Sequence, residues 1–136
     1  MAFSDPGKNR KVVNSNTGPE ASEVMLSEDC RRGDVLGYDS GWKRALGTAG
    51  SVIQGRMVAL QDGKSGRSVP VGFCPVISGY EGAAPGEYVY AAEGSDYGKI
   101  TQTEPSTTGD ATTVIGVALS PDTVQFFLNV RPDSIA

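Results

Sequence analysis

Gly86-Glu87-Tyr88-Val89-Tyr90-Ala91 is the stretch whose reading decides the fold, because Gly33-Asp34-Val35-Leu36-Gly37-Tyr38 has already set out the same order of residue types. In both, a glycine turns the chain, an acidic residue follows, and a short run of β-prone apolar or aromatic side chains comes next. Downstream of the first copy stands Gly55-Arg56-Met57-Val58-Ala59-Leu60, and downstream of the second Gly116-Val117-Ala118-Leu119, two residues shorter after its glycine. Two imperfect copies are too few for a solenoid. They suit one all-β unit built from two similar halves, about 30–60 and 83–119.

The rest of the chain agrees with many short strands. Its 136 residues are enough for one core and too few for two. Aromatics are 7% while glycine numbers 18 and proline 8, a composition of tight turns. The last strand is the clearest: Val124, Phe126, Leu128 and Val130 alternate with Gln125, Phe127, Asn129 and Arg131. Phe127 is then an apolar group on a polar face, a candidate subunit contact together with Arg131. In Val69-Pro70-Val71-Gly72-Phe73 the alternation is strict, and Pro70, which lacks a ladder donor, predicts an edge or interrupted strand. Gly47, Gly50 and Gly55 spoil the one helical candidate, 45–57.

Residues 1–25 read as a flexible N-terminal arm before a single β-domain over 26–136, since Ser, Asn, Gly and Pro interrupt every periodicity there. Phe3, Lys8, Arg10, Lys11, Val12 and Val13 are its candidate anchors on a neighbouring subunit.

Composition argues against several chemistries. Histidine is absent, which removes the commonest general base and the usual partner of Ser and Cys nucleophiles. Two cysteines, Cys30 and Cys74, read as reduced thiols, and neither has a base or a redox-spaced partner. Glu28, Asp29, Asp34 and Glu87 lack calcium-loop spacing and read as solvated strand ends. Gly63-Lys64-Ser65 resembles the tail of a phosphate loop, but no helix opens after it, so a hairpin loop accounts for it. Arg32-Gly33-Asp34 spells an adhesion tripeptide but leads straight into a strand. No catalytic, cofactor or metal residue is expected. The formal charge of −4 gives a nucleic-acid partner little support, and no run approaches the ~20 apolar residues of a membrane span.

With these readings set aside, the order of β elements resembles the capsid decoration, or cement, proteins of tailed bacteriophages. The resemblance covers about 30–131 and rests on Gly33, Asp34, Gly86, Glu87, Gly116, Ala118 and Leu119, all structural residues. It implies a compact β-barrel or β-tulip-like domain made in the host cytoplasm and placed on the outer surface of the virion capsid. It further implies a homotrimer bound to the major capsid protein, with an arm over the lattice. An alternative is the base domain of a head fibre or a glycan-binding module, with Trp42, Tyr38 and Tyr88 as a sugar-stacking patch. A partner in some other cellular protein, or a small hydrolase, are the remaining readings.

Overall fold

A computed structural model describes residues 3–16, 22–104, 106 and 113–128. The protein is all-β, with eleven short strands among the described residues and two antiparallel sheets. In chain order the strands are β1 Lys11–Asn14, β2 Ser22–Met25, β3 Val35–Tyr38, β4 Trp42–Arg44, β5 Met57–Ala59 and β6 Ser68–Gly72. They continue with β7 Val76–Ser78, β8 Tyr88–Ala91, β9 Ile100–Thr101, β10 Gly116–Ser120 and β11 Thr123–Phe126.

One sheet has the order β2-β6-β5-β3-β4 and the other β1-β7-β11-β10-β8-β9. Without β1, the second order is the first with every strand replaced by the one five places later. The correspondence runs over 22–72 and 76–126, wider than 30–60 and 83–119, and it reaches the hydrogen bonds. Asp34 N donates to Arg31 O at 2.9 Å and Glu87 N to Ala84 O at 3.1 Å, closing turns whose third residues, Gly33 and Gly86, have φ of 85° and 86°. These are type II turns, which need positive φ at that position and so favour glycine. Gly33 N then donates to Ala59 O and Gly86 N to Ala118 O, both at 2.8 Å. Ala59 N and Ala118 N return bonds to Asp34 O and Glu87 O. Gly116 lies between Val89 on β8 and Phe126 on β11.

Each half is an open sheet. The edges of the five-stranded sheet touch at one bridge, Leu26 to Trp42, and neither sheet closes into a barrel. Instead the sheets stack as layers around two cores. Cross-strand partners Val35 and Val58 join a larger core with Ile77, Tyr80, Val89, Val124 and Phe126. On the opposite face, Leu36 and Ala59 join a smaller one with Leu26, Val69 and Val71. The five-stranded sheet is thus apolar on both faces near its centre.

Two expectations need correction. The strand carrying Pro70 is not at an edge, since β6 lies between β2 and β5. The register explains the tolerance: the donor that Pro70 lacks would go to Leu60, just past the end of β5, and Leu60 N still donates to Pro70 O at 2.9 Å. Nor is 1–25 a free arm throughout. Lys11–Asn14 pairs with β7 and Ser22–Met25 with β6, while Ser4 bridges Glu81. Residues 17–21 lie outside those described.

Candidate functional site

Two places concentrate unusual chemistry: a buried charged cluster under the N-terminal segment and an apolar row on the outer face of the six-stranded sheet.

The first is built from Asp5, Arg10 and Asp34, each at most 9% exposed. The Arg10 guanidinium donates from Nη2 to Asp34 Oδ1 and, at 3.2 Å, to Gly7 O, while Nη1 lies 3.7 Å from Asp5 Oδ2. Backbone donors complete the carboxylates. Gly7 N and Ile100 N donate to Asp5 at 2.9 and 3.0 Å, and Arg31 N donates to Asp34 at 2.8 Å. Burial pushes the Asp5 carboxyl above its ordinary value, against the pull of Arg10 and the two amides. For Arg10, burial disfavours the cation, but Asp5 and Asp34 more than offset it and the guanidinium stays charged. Tyr80 stands beside this group, its hydroxyl held protonated by burial and by Asp5. Phe3 covers it, its ring stacked 6.0 Å from that of Tyr80.

Arg10 is therefore no surface anchor. It clamps residues 5–10 to Asp34, the residue before β3, which in turn is no solvated strand end and is too buried to serve an adhesion tripeptide. Of the other arm residues, Phe3 and Val12 pack on the larger core. Of the six candidate anchors, Lys8, Lys11 and Val13 are the ones whose side chains are exposed. The composition of the segment hid this, because Asp34, the carboxylate that pairs directly with the buried guanidinium, lies 24 residues along the chain.

The second place follows from the repeat. Val35 pairs with Val58, and at the equivalent positions Tyr88 pairs with Val117. The first pair is fully buried, whereas Tyr88 is 56% exposed. From Val117 the cross-strand row continues through Gln125 on β11 to Val76 on β7. Leu119, 53% exposed, follows on β10, and Phe127 stands exposed just past β11. Arg131, its proposed companion, lies outside the described residues. The same sheet position is thus an internal interface in one half and a solvent-facing apolar surface in the other, larger than a scattered aromatic would make.

The aromatic patch considered for sugars is split. Tyr38 and Trp42 meet edge to face at 5.6 Å, but Tyr88 belongs to the other sheet. A separate open groove of about 620 Å3 is lined by Glu28, Lys43, Arg44 and Tyr97, and neither Tyr38 nor Trp42 lines it. There Arg44 Nε donates to Glu28 at 2.9 Å, and its guanidinium lies 5.7 Å from the Tyr97 ring. Among the described residues no three His, Cys, Asp or Glu side chains gather as a metal site.

The cysteines differ in kind. Cys30 is buried in the smaller core, where desolvation and nearby Asp34 push its thiol up to about 11, while Cys74 is partly exposed. A thiolate is the reactive form, so iodoacetamide at pH 8 should modify Cys74 in the native protein and reach Cys30 only after unfolding. Mass spectrometry showing both alkylated at equal rates would contradict this packing.

A scan against family models, a search of curated proteins and a search of solved structures each found no match to this chain.

Proposed function

We propose that this chain is a structural virion protein that binds the outer surface of the mature phage head and cements neighbouring major capsid proteins against internal DNA pressure. The observation that carries the reading is the exposed row Tyr88–Val117, whose counterpart in the other half is a buried contact between layers. A sheet already suited to being covered on that face is a ready docking plate, and the two-sheet block behind it is stiff. Tyr88, Val117 and Leu119 meet the shell, and Phe127 meets a sister subunit of a homotrimer. Individually weak contacts suffice, because one oligomer touching several shell subunits gains from effective concentration. A protein that prefers the expanded lattice also biases the shell toward it, by differential affinity alone.

The test is binding of purified protein to expanded empty heads. Binding should saturate at a fixed ratio and raise the temperature at which the heads come apart. Replacing Tyr88→Lys together with Leu119→Lys should weaken binding at least about ten-fold, as loss of central apolar contacts does, with the melting temperature of the free protein unchanged. No binding to heads, or undiminished binding by the double variant, removes the proposal. The edge-to-face Tyr38–Trp42 pair, with Tyr38 65% exposed, favours a second reading, a glycan-binding module. Glycan-array binding by the unassembled protein, lost in Trp42→Ala, would select that one.

A further inference from the structure

The two halves build the same turn from different residues. Ala84-Pro85-Gly86-Glu87 closes through Glu87 N and Ala84 O, and Arg31-Arg32-Gly33-Asp34 through Asp34 N and Arg31 O, with nearly the same glycine φ. A type II turn favours proline at its second position and glycine at its third, and it makes no demand for arginine. Arg31 and Arg32 are exposed, as Ala84 and Pro85 are. The fold therefore does not require the two cations.

Both arginines line a pocket of about 280 Å3, together with Lys8, Asn9, Arg10 and Asp62. There Arg31 Nη1 donates to Gly7 O at 3.2 Å and Arg32 Nη1 to Arg10 O at 3.3 Å, lacing the turn to the N-terminal segment. The acceptors are neutral carbonyls, which fix the guanidinium groups without cancelling their charge. Lys8 is exposed on the tight bend between Gly7 and Asn9, both at positive φ. Arg10 is already matched by Asp5 and Asp34. Lys8, Arg31 and Arg32 against the Asp62 carboxylate leave two positive charges in the pocket wall, on a chain whose net charge is −4.

The amides of the turn are all engaged within the protein. Arg31 N donates to Asp34 Oδ2 and Arg32 N to Asp62 Oδ1, both at 2.8 Å, while Gly33 N meets Ala59 O and Asp34 N meets Arg31 O. Turn-built phosphate sites cradle the anion in such amides, so this pocket offers side-chain donors instead. Guanidinium forks suit carboxylates.

We infer that the pocket receives an acidic segment of a partner polypeptide, two of whose carboxylates meet the remaining N–H groups of Arg31 and Arg32 while Lys8 borders them. Each exposed contact contributes little alone, and the site gains weight where many copies bind together. Asp62 repels the incoming carboxylates and holds the affinity down. The pocket shares no residue with the Tyr88–Val117 row, so acidic-peptide binding and shell binding can fail separately.

The probe is a short blocked peptide of alternating glutamate and serine, titrated into the full-length, isotopically labelled protein at low salt and followed by backbone and guanidinium N–H resonances. Saturable shifts should centre on Lys8, Arg31 and Arg32, and about 0.5 M salt should weaken binding at least ten-fold by screening. Arg31→Gln with Arg32→Gln keeps side-chain donors but removes both charges. It should abolish the shifts and leave the melting temperature nearly unchanged. Asp62→Asn keeps an acceptor for Arg32 N and removes the repulsive charge, so binding should tighten at least about two-fold, which a purely structural loop would not show. The proposal is overturned by the absence of saturable shifts, by equal shifts with glutamine in place of glutamate, or by undiminished binding to the double variant. Tighter binding of inorganic phosphate at the same resonances would also overturn it. So would concentration-dependent shifts there without peptide, which would make a second copy of this chain the occupant.

Discussion

Arg10→Ala should lower the stability of the isolated protein at pH 7 by about 3–5 kcal/mol, the usual cost of breaking a buried ion pair from one side. Asp5 and Asp34 would be left buried without their cation, and the bond from Arg10 to Gly7 O would go with it. Urea unfolding read by far-ultraviolet circular dichroism measures the effect. The pH dependence separates a charge origin from lost packing. In the native protein Asp5 already has a raised pKa, so its contribution is fully present below the unfolded value of 3.8 and is lost as pH rises through the folded value. Removing Arg10 removes the attraction that lowers the Asp5 value and so raises it further. The deficit of Arg10→Ala should therefore shrink between pH 7 and pH 4.5, as Asp5 protonates. A deficit equal at both pH values would assign the loss to the missing side-chain volume.

Phe126→Ala should cost a comparable amount, about 3–5 kcal/mol, by a different route. Phe126 is fully buried in the larger core, on β11, where its partner across the ladder is Gly116 of β10. Glycine at 116 leaves no neighbouring side chain on β10 to fall into the void. Since the same core holds Val35 and Val58 of the other sheet, loosening should spread across the layer boundary. Chemical denaturation of Phe126→Ala at pH 7 and pH 4.5 should show one cooperative transition with a pH-independent deficit, unlike that of Arg10→Ala. Separate transitions for the two sheets would show that they do not share a core.

What could be read from the chain was local or periodic. The Gly-acidic-apolar signature announced two turns with the same φ and the same closing bond, because a type II turn is decided within four residues by the one that tolerates positive φ. The alternation of Val124 and Phe126 with Gln125 likewise gave their faces, since side chains on a strand alternate whatever lies beyond. Pro70 misled because its cost depends on which neighbour needs the missing donor, and that is a matter of register.

The amino-acid order by itself determined an all-β chain with paired glycine turns and the strands that follow them, all consequences of backbone sterics and side-chain alternation. Only the tertiary structure decided that Arg10 is a buried clamp and that Val35–Val58 is covered while Tyr88–Val117 is not. Each of these turns on desolvation by residues distant in the chain, and no short window of sequence contains the partner that does the desolvating.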